Sequence, residues 1–543
     1  MNHGRVVIMC VLILGLSIIP WRISASTVPP PHQGDGNLGE VRFANSCSPR
    51  VQMRFNNALA MLHSFQYGVA EKTFSQVAAI DPQCAIAYWG AAMTLYHQLW
   101  DWPSVETLNR GRRYLEMAKP LRKKTERELG YLNAAAAFYQ PERNLKQGSR
   151  AEAYSKAMLE LHEHYPEDDD ATAFYALSLL ALASGDDRRL IHQRKAIEIL
   201  TTLFSARPEH PGAAHYLIHA TDSTELAPLG LAAARSYAHI APSSPHALHM
   251  PAHIFARLGM WQDSIASNIA SLAAAEEATK LHRDDGSGDA LHAMMYLQYS
   301  YLQSGEAEDA RQVAERIKTV RGATVNGIAN NLAIFEALYA VETHQWKQAA
   351  ALTIQPNAFP YADMRTFWAR AIGAARSGDV LSARQNVDML DRASTGMLAH
   401  RQSVEAQMHV CHSVNSDTNV QQLEAKAWLA WAEGRPMEAL DTMRAAVMKE
   451  EAYGVESRTV PAYEMLGDLY LELHQPERAL AAYVTALREA PARFNSLAGA
   501  ARASQAMDNQ EKARSYYAEL VMCCGPGVTR MEFREAMAFL SGS

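Results

Sequence analysis

Tyr463-Glu464-Met465-Leu466-Gly467-Asp468-Leu469-Tyr470, followed by Ala479, Tyr483, Ala486 and Pro491, is the stretch of this 543-residue chain that decides its fold. Small residues at Gly467 and Ala479 let two antiparallel helices approach closely. Aromatic rings at Tyr463, Tyr470 and Tyr483 fill the space between neighbours, and Pro491 stops the second helix because its ring cannot continue the hydrogen-bond ladder. Such a unit cannot bury its apolar face alone, so copies of it must stack.

Copies are present. Ala501, Ala513 and Tyr517 keep the same phase one repeat later, and Ala58, Ala70, Phe74 and Pro82 form an N-terminal copy. Weaker copies end in Gly305…Ala310, Trp346…Ala349, Gly378…Ala383 and Gly434…Ala439. The spacing is that of tetratricopeptide repeats, so the expected fold is all-α: a right-handed superhelical solenoid of about ten to twelve antiparallel helix pairs on the 34-residue period. Strand-like alternation is scarce. The stretch 394–420 breaks phase and reads as a long connection.

The chain divides accordingly. Residues 1–25 read as a signal peptide: Arg5, an apolar run from Val6 to Pro20, and the small-residue end Ile23-Ser24-Ala25. The run is short for a membrane span, which needs roughly 20 apolar residues; an uncleaved tether is the alternative. Cys10 lacks the small residues that would precede a lipidation site. Residues 26–50, with Pro29, Pro30 and Pro31, read as an extended linker. Repeats follow over 51–205, a histidine-rich centre over 206–305, further repeats over 306–415, and the clearest ones over 416–543. The expected location is the periplasm or the extracellular space, with no integral membrane span after cleavage.

Composition narrows the partners. Removing residues 1–25 leaves 49 basic against 58 acidic residues, with no long Lys/Arg block, which argues against nucleic acid and anionic membranes. Cys47 and Cys84 flank the first repeat and are candidates for a disulfide in an oxidising compartment, two buried thiols being the alternative. Cys523-Cys524 are adjacent and hard to bridge to each other. His409-Val410-Cys411-His412 is too compact to read as a metal motif.

Three stretches carry a resemblance. Asp81-Pro82-Gln83-Cys84-Ala85-Ile86-Ala87-Tyr88-Trp89-Gly90, Pro211-Gly212-Ala213-Ala214-His215-Tyr216-Leu217-Ile218-His219 and Pro245-His246-Ala247-Leu248-His249-Met250-Pro251-Ala252-His253-Ile254-Phe255 resemble a group of secreted bacterial tetratricopeptide-repeat proteins of mostly unassigned activity. The resemblance spans nearly the whole mature chain. It implies the fold and little mechanism. Similar proteins usually carry an acid where this chain has Met295.

Nine of the 21 histidines fall between His210 and His292. His215 and His219 are four apart, as are His249 and His253, and one 34-residue period carries the first pair onto the second. Phased on Pro208 and Pro242, the pairs occupy repeat positions 5 and 9, Asp222 position 12 and His246 position 2; phased on Ala310, His292 also falls at position 2. These avoid the packing positions 4, 7, 8 and 11. In tetratricopeptide domains positions 2, 5, 9 and 12 line the concave groove, so the resemblance implies that these side chains look into it.

Residues four apart share a helix face, and adjacent helices lie roughly 8–10 Å apart. His215, His219, His249 and His253 are therefore the candidate metal ligands, with His246, His292 and Asp222 lining the groove beside them. Imidazole suits several transition metals; zinc is the first expectation, and no cofactor at all is the alternative. Asp222 is the nearest carboxylate to act as a base or as the acceptor that orients a ligand imidazole. Pro251, between His249 and His253, demands a helix start near Leu248 or a kink. Phe55, Trp89, Glu424, Trp428, Trp431 and Glu464 share the groove phase and read as ligand-holding or as packing residues.

Tyr216 and Met250 stand where the glutamate of His-Glu-x-x-His would be, so the zincin protease pattern is absent. There is no phosphate-binding glycine loop and no serine-nucleophile motif. Three functions remain. The first is an exported binding protein whose histidine-lined groove takes a protein, peptide or small molecule, with or without metal. The second is a metal-dependent enzyme, a hydrolase for preference. The third is an assembly scaffold with structural histidines.

Overall fold

A computed structural model describes residues 37–542, apart from 101, 142–145, 184–189, 281–285, 405–412 and 454–458. The candidate signal peptide and His409-Val410-Cys411-His412 lie outside the described residues. Every element among the described residues is helical, and the architecture is a tetratricopeptide-type α-solenoid. Helices alternate as pairs, from Gln52–His63 with Tyr67–Ile80 to Phe494–Ala506 with Gln510–Cys523, and a last helix, Met531–Ser541, follows. No described helix is long and apolar enough to cross a membrane.

Close approach sets the pairing. A Cβ on Gly467 would lie 2.7 Å from the Tyr483 ring, and one on Gly499 would lie 2.3 Å from it, so a single tyrosine is clasped by glycines of two successive repeats. Gly90 meets Phe74, and Gly111 meets Tyr139, in the same way. The turn inside each pair also repeats. Its residue two before the second helix is left-handed at Gly259, Gly305, Gly378 and Gly434, and also at Phe65, His344, His474 and Asp508. Glycine takes that conformation without a steric penalty; the other side chains hold it at a cost.

Two expectations change. The phase-breaking stretch is not a simple connection: the helix Val380–Val404 runs through its first part and Ser413–Ala432 through its last. Residues 37–48 are extended, as a linker would be, yet they are packed. Phe43 is fully buried, sits among Phe55, Trp89 and Tyr131, and lies under the Arg127 guanidinium. Cys47 is joined to Cys84 by a disulfide, and Glu40 N–H donates to the Glu209 carbonyl.

The larger departure is that the solenoid closes on itself. First helices of successive repeats pack along its inner side, but the first helix, Gln52–His63, also packs on Pro211–Ala220, and Ser287–Gln303 packs on Phe494–Ala506. On that inner side His215, His246, His249 and His253 are buried. At the C-terminal contact, fully buried Arg493 reaches Glu464 at 2.7 Å, Glu342 at 2.9 Å and Tyr299 Oη at 3.1 Å. Trp261 Nε1 donates to the Ala492 carbonyl, and Thr224 Oγ1 to the Glu489 carbonyl. Of the groove-phase side chains singled out away from the histidines, all but the half-buried Trp431 are buried. Trp89 belongs to the Phe43 cluster, Glu424 accepts from Trp368, Trp428 lies under Arg376, and Glu464 holds Arg493.

Removing one partner of a buried ion cluster strands the others. Arg493→Ala is therefore expected to lower the unfolding free energy by about 3–5 kcal/mol, read as a drop in the urea midpoint of the full chain. A change within error would mean that the closure does not depend on this cluster.

Candidate metal centre

Proline opens the helices that carry the two His-x-x-x-His pairs. Pro211 starts Pro211–Ala220 and Pro245 starts Pro245–His249, where a missing N–H costs nothing. Pro251 interrupts the second helix at Met250, which keeps right-handed helical torsions, and Pro251–Arg257 continues beyond it. The helix thus starts at Pro245 and is broken at Met250, and His249 and His253 still meet across the break.

Six imidazoles assemble here, and they group differently from the four-histidine set read from the spacing. His215, His219 and His246 bring one ring nitrogen each within 4.8 Å of one another, and His249, His253 and His292 do the same. His246 and His292 are full members, not border residues. Each triad is the i, i+4 pair of one repeat completed by position 2 of the next. The triads are neighbours: ring centroids of His219 and His253 lie 6.2 Å apart, and those of His246 and His249 lie 6.3 Å apart. Those separations match the 6.3 Å between His219 and His246 inside one triad.

Hydrogen bonds fix which nitrogen carries the proton. His215 Nδ1 lies 2.6 Å from the His63 carbonyl oxygen, which only accepts, so Nδ1 is protonated and Nε2 presents its lone pair. That Nε2 is 3.0 Å from His246 Nε2 and 3.1 Å from His219 Nε2. His249 Nδ1 donates to Asn268 Oδ1 at 2.7 Å, and the Asn268 amide nitrogen donates to the Ser264 carbonyl, which sets the amide's orientation. His253 Nδ1 lies 2.7 Å from Asp222 Oδ2 and 3.0 Å from Tyr296 Oη. Both Nδ1 atoms are committed to acceptors, and His249 Nε2 and His253 Nε2 face each other at 3.0 Å, so in neutral rings their lone pairs would point at each other. Two facing lone pairs repel unless a positive charge lies between them. Tetrahedral zinc with bonds of about 2.0–2.1 Å would hold its nitrogens roughly 3.3 Å apart, close to what the rings adopt.

The electrostatics suit neutral ligands. Burial first, then the neighbouring imidazoles, holds His215 and His246 well below their ordinary pKa and brings His219 to about 3. Asp222, in the turn after Pro211–Ala220, accepts from His253 and from Arg257 Nε at 3.0 Å. Burial works to raise its pKa, but Arg257 and His253 outweigh it and hold the carboxyl well below the usual range. Asp222 therefore orients His253 and is too weakly basic to serve as the base.

A third cluster, His63, Asp170 and His210, is compact enough to resemble a metal site. Its hydrogen bonds are already complete. His63 Nε2 lies 2.9 Å and His210 Nε2 3.3 Å from Asp170 Oδ1. His63 Nδ1 accepts from Tyr216 Oη, and His210 Nδ1 accepts from Ala213 N–H. Each imidazole nitrogen is thus taken, so this cluster reads as a brace beside His215.

Several residues that position the site carried no sequence signal. His63 lies 152 residues before His215. Asn268 comes from a second helix of a pair. Phe65 stands at the left-handed turn where four other repeats use glycine, and its ring lies 4.4 Å from His215, 5.5 Å from His219 and 5.9 Å from His246. Trp100, 45% exposed, packs edge-on against His246. A cavity of about 100 Å³ begins at Met295, one helical turn from His292, and is lined also by Leu338, Arg365 and Trp368.

No protein-family model matches this chain, and no curated protein matches it. Among solved structures, the chain is similar to the human IFIT1 dimer with m7Gppp-AAAA, at 12% identity over 85% of this chain and 94% of that one, with a TM-score of 0.35. It is similar also to a chain of the APC/C hetero-tetramer Cut9-Hcn1, at 11% identity over 91% of this chain and 95% of that one, with a TM-score of 0.28. Values this low carry nothing about the histidine site.

Proposed function

We propose that this protein is an exported helical-repeat metalloprotein that uses two transition-metal ions, one per histidine triad, to bind a small ligand. One observation carries the reading: His249 Nε2 and His253 Nε2 face each other at 3.0 Å while both Nδ1 atoms are tied to acceptors. A ligand imidazole normally has its second nitrogen anchored in this way. An extended peptide is a poor occupant because His215, His246, His249 and His253 are buried. A hydrolase remains the second reading, but its water would lack Asp222 as base. Export is supported by the apolar run before Ile23-Ser24-Ala25 and by the pairing of Cys47 with Cys84. The acidic balance argues against nucleic acid as partner.

His219 and His292 are the half-buried members, one from each triad, so their loss should disturb packing least. Protein purified without chelator is expected to carry two metal ions per chain by elemental analysis. The double variant His219→Ala, His292→Ala should lose both ions and keep its helical circular dichroism. A metal-free wild type, or a double variant that keeps both ions, would return the histidines to a structural role.

The metal-free protein should show an acid weakness well above the carboxylate range. Burial holds His63 near 4 and His219 near 3, below the unfolded value of about 6.5. The unfolded chain then binds more protons, so stability is full above about 6.5 and is lost as pH falls toward about 4. His63 alone accounts for roughly 3 kcal/mol. Denaturant midpoints measured across that window should fall with pH, and a flat profile would contradict the buried neutral imidazoles. For the leader, N-terminal sequencing of the exported fraction should begin near Ser26; intact Met1 in the cytosol would reject export.

A further inference from the structure

We infer that the two triads hold a copper pair that binds dioxygen between the two ions. The inference rests on the two-ion reading above and names the metal and the ligand.

The donor set points to copper. All six donors are imidazoles, with no carboxylate or thiolate among them. Imidazole sites follow the divalent affinity order that peaks at copper. A hard-ion pair would call for oxygen donors, and among the described carboxylates nearby Asp222 is taken by an outer nitrogen while Asp289 stands beyond hydrogen-bond reach of one. Asp222 meets His253 Nδ1 at 2.7 Å, and Asp289 lies 4.0 Å from His246 Nδ1. Three neutral nitrogens per ion also suit the low coordination number of monovalent copper.

The placement points to a shared ligand. Rings of the two triads stand as close across the divide, at 6.2 and 6.3 Å, as His219 and His246 stand within one triad. Two ions bound there would stand close enough to share one small ligand, as a two-metal site clamps a single molecule. The surroundings are aromatic. Tyr237 stacks on His215 at 5.1 Å, Phe65 packs on the first triad, and Tyr296 packs on His249 and His253. Such a wall favours a small apolar ligand and keeps bulk water out.

Charge conservation selects the reaction. Each monovalent copper gives one electron to dioxygen. No bond to oxygen breaks completely, no proton moves, and the product is peroxide bridging two divalent coppers. The site carries two positive charges before the step and two after it, since the dianion offsets the oxidation of both metals. A buried site made of neutral ligands can take such a step without importing a counter-ion, whereas any uncompensated change of charge would be costly there. Loss of dioxygen is the same step reversed.

The test uses the full chain, stripped of metal and loaded anaerobically with two equivalents of copper(I). On admitting dioxygen, uptake of one molecule per two coppers is expected, together with a new near-ultraviolet charge-transfer band that bleaches under vacuum. The oxygenated form should show almost no electron paramagnetic resonance signal, because the two unpaired spins couple through the bridge. His292→Ala, which opens only the second triad, should abolish the band and uncover the signal of a lone divalent copper after oxidation. Two bound coppers with a full, uncoupled signal and no uptake would overturn the pair, as would two zinc ions that copper cannot displace; either leaves the two-ion reading standing. A chain that takes up no metal would remove both.

Discussion

The contact between a helical glycine or alanine and an aromatic ring of the next helix is the constraint on which the rest depends. Tyr483 clasped between Gly467 and Gly499, and Phe74 against Gly90, leave no room for a Cβ. Helices held that closely keep a constant offset from one pair to the next. A constant offset is what turns a 34-residue spacing in the chain into a fixed displacement in space. It brings position 2 of one repeat up to positions 5 and 9 of the repeat before it.

The two triads follow from that displacement, because they are one motif used twice. His215 and His219 are completed by His246; His249 and His253 are completed by His292. The series stops at both ends for visible reasons. One repeat earlier, Gly212 stands at position 2, and the His63 ring lies so close that a Cβ would be 2.4 Å from its Nδ1. One repeat later, positions 5 and 9 are Met295 and Tyr299, and Tyr299 receives Arg493 in the closure of the C-terminal repeats. A brace at one end and an ion cluster at the other thus bound the centre.

Closure also sets the chemistry of the imidazoles. Packing Gln52–His63 onto Pro211–Ala220 removes water from His215 and supplies the carbonyl that fixes its tautomer. Desolvation then favours neutral rings at His215, His219 and His246. Phe65 shows the same coupling in the backbone. A phenylalanine holds a left-handed turn that suits glycine, and its ring is thereby laid over three histidines. Strain of this kind persists where surrounding packing over-determines it.

The sequence by itself determined the helical pairs, their period and the two His-x-x-x-His pairs one period apart, because small-aromatic spacing and helix periodicity are local rules. It also placed Asp222 beside the histidines and Cys47 in reach of Cys84. Three things were decided only by the tertiary structure. Residues 37–48 became a packed strap because Phe43 finds its pocket among rings from three helices. The C-terminal repeats were tied together because Arg493 meets carboxylates of residues 29 and 151 positions away. Four expected ligands became two triads, with Asp222 an orienting acceptor instead of a base, because ring direction and tautomer depend on partners such as His63 and Asn268. Those partners reach the site through the superhelix, and no local spacing in the chain encodes where its turns meet.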